Sequence, residues 1–269
     1  FNATFLETKV TELAGDATEL ILDDNFAGYA ILGEKFPQVK ATDWKRNPAG
    51  KVIVNASTGM PSAGDIIACG TSDPTVRLGF TSNMKWKGFT LGATFDYRGG
   101  HVTRFGIEYN ALFTGSSYLS ATSGRQRFVF PNSVIEVTDA NGNVSYQDNT
   151  NITVYTGGVN FWNGVYKSGR ANQVISAASW RLRELSLGYE VPQKYLKKLG
   201  FLQRASVSLV GRNLFMWTPK TNIFGDPDYT GSGGNSNISG SSYNRNVSGM
   251  AGTSSTATRN YGFNLLLSF

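Results

Sequence analysis

The sequence predicts an all-β fold, namely a transmembrane antiparallel β-barrel to which this chain contributes some of the strands. The final residues alternate, with Tyr261, Phe263, Leu265 and Leu267 on one face and small or polar residues, apart from Leu266, on the other. Other segments of about ten residues alternate in the same way, and at a barrel tilt ten residues cross an apolar band of roughly 25 Å. Short and long connections also alternate along the chain, as they do in outer-membrane barrels.

Five alternating strands are predicted, and a sixth begins the chain. They cover residues 76–87, 89–98, 179–191, 204–218 and 258–269, and residues 1–8 belong to the end of another strand. The alternation blurs at 213–215, which predicts a bulge. Trp86 and Tyr97 fall at opposite ends of the first hairpin, where the aromatic girdles of membrane barrels lie.

Three long segments, 9–75, 99–178 and 219–257, are predicted to be mostly irregular because Gly, Asn, Asp and Ser recur in them. Short extended pieces are expected near 29–32 and 51–55, and local hairpins near 128–137 and 144–155. If the last strand runs toward the periplasm, both short connections fall on the periplasmic side and all three long segments lie outside. A soluble sandwich has no reason to segregate its loops by length.

Composition narrows the class further. The chain has 269 residues, a net charge of +6 and a mean hydropathy of -0.22. No apolar run approaches the roughly 18 residues of a transmembrane helix. Nucleic-acid binding is disfavoured because the cations are scattered, with a dense patch only at Lys194, Lys197 and Lys198. Cys69 is the single cysteine, so no internal disulfide is expected.

No catalytic, metal or cofactor site is expected, so we do not predict an enzyme. His101 is the only histidine and follows two glycines in a predicted loop. Glu184 and Glu190 lie on one predicted strand about 20 Å apart, beyond the separations used in glycoside hydrolysis. Asp226 and Asp228 flank a proline, where turn chemistry is expected and calcium ligation is the alternative.

Two groups of side chains are candidates for contacts with cargo or partners. Aromatic residues of the long loops form the first group, for which packing within the loop is the alternative; they are Tyr155, Phe161, Trp162, Tyr166 and Tyr229. The second group is Asp96 and Arg212, which the alternation places on the lumen face. Contact with cargo or with a plug is one reading of these charges, and ordinary wall solvation is the other.

Three segments carry a resemblance to a known family. They are residues 179–192 (SWRLRELSLGYEVP), 195–200 (YLKKLG) and 210–218 (VGRNLFMWT). Together with the hairpin at 70–100, the stretch 44–55 and the terminal strand, they resemble the C-terminal region of SusC/RagA-type TonB-linked outer-membrane proteins of Bacteroidetes. Gly225-Asp-Pro-Asp-Tyr229 stands where that family commonly has a DPE-like motif.

The resemblance implies what the whole protein does. Residues 1–269 correspond to the C-terminal part of a barrel of about 22 strands, and the family's plug domain and remaining strands have no counterpart in them. The chain is therefore expected to be part of a longer polypeptide or one piece of a split barrel. Phe269 resembles the terminal signal read by the barrel-assembly machinery. The expected location is the bacterial outer membrane, in contact with its lipid.

The implied activity is TonB-dependent import of oligosaccharides or peptides, with a SusD-like surface lipoprotein as partner. The loops 99–178 and 219–257 are where contacts with partner and cargo are expected. Two alternatives remain at this point. One is a structural piece of a split barrel in a larger assembly, and the other is a secreted β-sandwich adhesin or lectin.

Overall fold

The structure, a computed structural model, describes residues 1–22, 28–198, 200–223, 225–227, 250–251 and 258–269. In chain order its strands are β1 (Asn2–Phe5), β2 (Glu19–Ile21), β3 (Gly28–Ile31), β4 (Gln38–Trp44), β5 (Val52–Val54), β6 (Ala63–Thr71), β7 (Val76–Trp86), β8 (Phe89–Gly99), β9 (Val102–Phe105), β10 (Ser133–Thr138), β11 (Val144–Asp148), β12 (Val174–Ser176), β13 (Ser179–Glu190), β14 (Arg204–Trp217), β15 (Met250–Ala251) and β16 (Asn260–Ser268).

Helices are few and short in the described ranges. The α-helices are α1 (Gly106–Thr114) and α2 (Gln193–Leu196). A π-helical turn covers Asn160–Val165, and single 3-10 turns cover Tyr118–Ala121, Tyr166–Ser168 and Arg170–Gln173. Within these ranges no helix is both long enough and apolar enough to cross a membrane.

The main sheet has six antiparallel strands in the order β1-β7-β8-β13-β14-β16. Each of the five predicted strands is present with its bounds within about two residues, and the predicted strand at residues 1–8 is β1. The all-β prediction is therefore confirmed, and neighbouring strands of the main sheet follow one another along the chain, as in a barrel wall.

The two faces of the main sheet differ in chemistry. One row across five strands consists of Met84, Leu91, Leu187, Leu209 and Phe263, each paired with the next. All five are exposed, from 37% at Leu91 to 62% at Phe263. A soluble sandwich buries such a face against a second sheet. An exposed apolar face is instead what lipid covers in an outer-membrane barrel.

The opposite face is polar along the same strands. Its corresponding row contains Lys85, Thr90, Gly188, Ser208 and Asn264. Because paired residues of antiparallel strands share a face, the alternation seen in each strand adds up to a whole sheet with one apolar side and one polar side. The polar side is the one expected to face the barrel lumen.

Aromatic rings mark both ends of the apolar face. At one end Phe89 and Tyr189 have ring centroids 4.5 Å apart, and at the other Tyr97 and Trp180 are 4.7 Å apart. Eight residues separate Phe89 from Tyr97, which corresponds to roughly 26 Å of strand. At a barrel tilt near 40° this strand length corresponds to about 20 Å of height, so the two aromatic pairs bracket most of the roughly 25 Å apolar zone of a membrane barrel.

The predicted bulge is present in β14. Leu182 pairs with Phe215 and Glu184 pairs with Arg212, so two residues of β14 oppose the single residue Arg183 of β13. Asn213, one of those two, has a φ of 54°. Asparagine tolerates this left-handed conformation better than most residues, which explains why the alternation breaks at this point.

Connection lengths differ between the two ends of the main sheet. At the end that we call the turn end, β7 and β8 are joined by Lys87 and Gly88 alone, and β13 and β14 by a connection that contains α2. Gly88 has a φ of 87°, and a Cβ there would lie 2.9 Å from the Glu190 carbonyl oxygen, so the turn requires glycine. Residues 6–75, 100–178 and 218–259 connect the strands at the opposite end, the loop end.

The long connections are more ordered than predicted. Within residues 9–75, the structure forms a four-stranded sheet in the order β2-β3-β4-β6, although only the piece at β3 was expected there. The expectation of a mostly irregular segment was therefore wrong for β2, β4 and β6. Instead of separate hairpins near 128–137 and 144–155, the structure pairs one strand from each stretch, β10 with β11, and β10 also pairs in parallel with the predicted piece β5.

These connections share a compact hydrophobic core, and we call the folded unit the loop body. Trp44 comes from the first long connection, whereas Leu112, Phe130, Phe161 and Trp162 come from the second. Phe161 packs its ring against Phe130, 6.1 Å away, and edge-on against Trp162, 4.8 Å away. The loop body is thus a packed unit at the loop end of the sheet.

Candidate functional site on the polar face and loop body

Charged side chains on the polar face of the main sheet are held in ion pairs. Asp96 accepts hydrogen bonds from Nε and Nη2 of Arg183, at 2.9 and 2.8 Å, and Arg98 lies 3.8 Å from the same carboxylate. Asp96 therefore lies on the side that the alternation assigned to the lumen. Its three-residue cluster presents two guanidinium groups and one carboxylate just below the loop end.

Two further pairs continue this pattern toward the turn end. Arg212 Nε lies 3.0 Å from Glu184, and Arg204 Nε lies 2.8 Å from Glu190. Both pairs are exposed, so they contribute little to stability. They do fix the direction of four long side chains, and they place opposite charges at intervals along the polar face. Arg212, the second predicted lumen-facing residue, belongs to this set.

The most buried of these pairs joins the sheet to a loop. Asp226 accepts a hydrogen bond of 2.7 Å from Arg181 Nη1 and a second one from Arg181 Nη2. Only 7% of the Arg181 side chain and 11% of the Asp226 side chain are exposed. Both carboxylate oxygens of Asp226 are thus taken up by a guanidinium, a contact that neither the turn nor the calcium interpretation of Asp226 anticipates. Asp228 lies outside the described residues.

A small cavity adjoins the Arg181–Asp226 pair. It has a volume of about 190 Å³, and its lining includes Asn213 and Met216 of β14 and Arg259 just before β16. Its walls therefore mix two guanidinium groups, one carboxylate and apolar side chains. The bulge at Asn213 and the loop segment 225–227, through Asp226, therefore border the same cavity.

The loop aromatics proposed as surface contacts divide into two groups. Phe161 is fully buried and Trp162 is 6% exposed, and Tyr166 packs on the same core. The expectation that these three residues contact cargo is therefore wrong for Phe161 and Trp162, because their rings are buried in the core of the loop body. For these two, the alternative of packing within the loop holds. Tyr155 is 58% exposed, with the Arg127 guanidinium 5.7 Å from its ring centroid. Tyr229 lies outside the described residues.

A buried carboxyl group in the loop body was not anticipated. Glu108 lies in the first turn of α1, is 6% exposed and accepts a hydrogen bond from Ser117 Oγ. Burial raises the pKa of this carboxyl above its ordinary value, although the hydrogen bond from Ser117 acts in the opposite direction. Burial also raises the pKa of Tyr166, with a smaller contribution from the charge of Glu108. Nothing in the sequence indicates that Glu108 is buried, whereas most acidic side chains lie on the surface.

The structure also shows the surroundings of His101 and Phe269, two residues considered in the sequence analysis. His101 is 8% exposed in the link between β8 and β9, and its carbonyl oxygen accepts a 3.0 Å hydrogen bond from the Ala177 amide. Phe269 is 72% exposed, and its ring lies nearly parallel to that of Phe201 with centroids 6.2 Å apart. This places Phe269 with the aromatic residues of the turn end.

Comparison with known proteins gives one related sequence and several related structures. No family model matches the sequence. The "TonB-dependent receptor P3" of Formosa agariphila is 25% identical over 201 residues, which cover 72% of this chain and 18% of that protein.

The fold resembles structures of the RagAB peptide importer. A chain of the closed-closed state superposes with a TM-score of 0.56 at 15% identity, covering 97% of this chain and 26% of the other. The open-open state gives a TM-score of 0.53 at 16% identity, with coverages of 97% and 25%. This chain thus spans about a quarter or less of the proteins that it matches. The comparisons confirm the resemblance to SusC/RagA-type TonB-linked outer-membrane proteins, and the solved structures confirm the barrel-wall fold.

Proposed function

We propose that this chain forms part of the wall and outer loops of a nutrient importer in the outer membrane. The observation that carries the proposal is the six-stranded sheet with one exposed apolar face and one polar face, bracketed by aromatic rings. A barrel wall in a membrane needs an apolar face toward the lipid and a polar face toward a water-filled lumen. The long connections gathered at one end supply an external surface for contacts with other molecules.

The whole protein is proposed to take up peptides or oligosaccharides by a TonB-dependent mechanism. The proposal is supported by the relative named as a TonB-dependent receptor and by the likeness to a peptide importer. It includes a SusD-like surface lipoprotein as partner, which the resemblance to SusC/RagA-type proteins implies and the likeness to the RagAB peptide importer supports. Peptide cargo has the better support of the two classes. No catalytic role is assigned to the chain.

The test compares uptake in the native host with and without the gene that encodes this chain. Depletion of a defined peptide mixture and of an oligosaccharide mixture from the medium is measured, and TonB is inactivated in a parallel strain. We expect one mixture to be depleted only when both the gene and TonB are present. Uptake that persists in the strain without the gene, or in the strain in which TonB is inactivated, would contradict the proposal.

A structural role in a split barrel is the second candidate. It has the same wall geometry in its favour, but it assigns no cargo. The uptake experiment separates the two candidates. Loss of an importer abolishes uptake of a specific nutrient, whereas loss of a structural piece lowers the amount of the larger assembly and leaves the set of consumed nutrients unchanged. The β-sandwich alternative is disfavoured, since the long strands lie in one sheet whose apolar face is exposed.

A further inference from the structure

The loop body contains an apolar pocket that lies apart from the polar face of the sheet. Its volume is about 170 Å³, and its walls include Leu112 and Phe113 of α1 together with Val159 and Trp162, with Arg125 beside them. Leu112 and Trp162 are nearly buried and form a rigid floor. The indole of Trp162 donates a 2.9 Å hydrogen bond to the Gly157 carbonyl oxygen, so this floor presents no unpaired indole group to the pocket.

The mouth of the pocket is apolar and exposed. Phe113 is 57% exposed and Val159 is 72% exposed. Lys167 Nζ stands 4.7 Å from the centroid of the Phe113 ring, so a cation lies directly beside the apolar rim. Large apolar side chains gathered around an open concavity are typical of an interaction site rather than of ordinary surface.

The residues that line this pocket include Arg125 and no Asp or Glu. Residues 109–135 and 149–180 contain no Asp or Glu, whereas their cations before Arg181 are Arg125, Arg127, Lys167 and Arg170. The nearest acid along α1 is Glu108, which is buried and hydrogen-bonded to Ser117. A partner that places carboxylates against this rim gains electrostatic complementarity, and an acid-free rim offers it no repulsion.

We propose that the surface formed by Phe113, Arg125, Val159, Trp162 and Lys167, which we call the docking pocket, binds an acidic segment of a protein partner. One apolar side chain of the partner enters between Phe113 and Val159, and a neighbouring carboxylate pairs with Arg125 or Lys167. The partner is the surface lipoprotein of the proposed function, on which this inference rests. An apolar anchor beside a charged pair is the usual composition of a protein–protein hot spot.

The experiment places a photo-crosslinking amino acid at position 159 of the full-length transporter, produced with its lipoprotein in the native host. Irradiated membranes are analysed by mass spectrometry for the adduct. We expect a crosslink from position 159 to an acidic segment of the lipoprotein. Arg125→Glu with Lys167→Glu should lower its yield roughly tenfold, while Arg125→Lys should preserve it. A crosslinker at Val144, which is 51% exposed on β11 outside the pocket, is the matched control.

Several results would overturn the docking pocket. The first is an adduct with the transporter itself, with a cargo peptide or with a carbohydrate, and the second is the absence of any adduct. The third is a crosslinking yield that does not change when the two cations are replaced by glutamate. Heat-modifiable migration of each variant checks that the barrel has folded. If no complex with a lipoprotein can be isolated from unmodified cells, the proposed function fails as to its partner. If the complex is isolated but position 159 gives no adduct with it, this inference alone fails.

Discussion

Arg181 and Asp226 illustrate how single residues connect the sheet to its loops. The two side chains are almost buried and share two charge-assisted hydrogen bonds. A buried ion pair adds little net stability, but removal of one partner leaves the other charge in a poorly solvated place. The pair therefore acts as a fixed anchor for residues 225–227, which rest on the polar face beside the bulge.

We expect Asp226→Ala to destabilise the folded protein by about 3 kcal/mol, because Arg181 stays in its buried position without this carboxylate. Glu190→Ala is the control, since its pair with Arg204 is exposed and worth less than about 1 kcal/mol. Urea unfolding of the full-length protein in detergent measures both variants. Equal effects of the two substitutions would show that the anchor does not exist.

Glu108 gives the loop body a pH dependence of known sign. Because burial raises its pKa in the folded state, folding favours the protonated carboxyl. Stability is full below the unfolded pKa, falls as pH rises through the folded value, and stays reduced at neutral pH. Glu108→Gln should therefore protect α1 at pH 7.5 and change little at pH 4, as read by amide hydrogen exchange of residues 106–117. A gain that is larger at pH 4 would reverse the sign of the argument.

At the scale of elements, the sequence predicts the membrane strands well and the loop body poorly. A sheet with one apolar and one polar face requires apolar and polar residues to alternate along β7, β8, β13, β14 and β16. This alternation can be recognised directly in the sequence. In β6 the adjacent Ile66 and Ile67 break any such pattern. That strand is specified by its pairing with β4, whose partner residues lie 19 to 33 positions away in the sequence, so no local pattern reveals it.

The site residues show the same division. The side of the sheet on which Asp96 and Arg212 lie follows from alternation alone. For Phe161 and Trp162 the sequence leaves both surface contact and packing within the loop open, because a loop has no period from which burial can be read. Their burial depends on Trp44 and Phe130, which come from distant parts of the chain. For the same reason, the pairing of Asp226 with Arg181 could not be predicted.

Gly169 tests how tightly the two long connections pack. A Cβ at this position would overlap the ring of Trp44, which comes from the other connection, whereas a Cβ at Gly164 meets no atom within 4 Å. We expect Gly169→Ala to destabilise the loop body by about 2 kcal/mol and Gly164→Ala to be neutral or slightly stabilising. Rates of limited proteolysis within residues 100–178 measure the difference. Similar rates for the two variants would mean that the connections are not packed as described.

At the scale of the whole molecule, the two faces of the main sheet organise everything else. The apolar face is exposed along five strands, and the aromatic pairs at its ends set its height. The polar face carries a series of ion pairs from the loop end to the turn end. The loop body, with its docking pocket, is attached at the loop end. The proposed contacts with lipid, with the lumen and with a partner therefore fall on three separate surfaces.

The most direct test of the central claim is spin-label accessibility along β13 in native outer membranes. The native cysteines, Cys69 among them, are replaced by serine, and single labels are placed in turn at positions 184–189 of the full-length protein. We predict that labels at 185, 187 and 189 are accessible to oxygen dissolved in lipid, and that those at 184, 186 and 188 are accessible to a water-soluble nickel reagent. Uniform accessibility, or the opposite alternation, would contradict the assignment of this sheet as a membrane barrel wall.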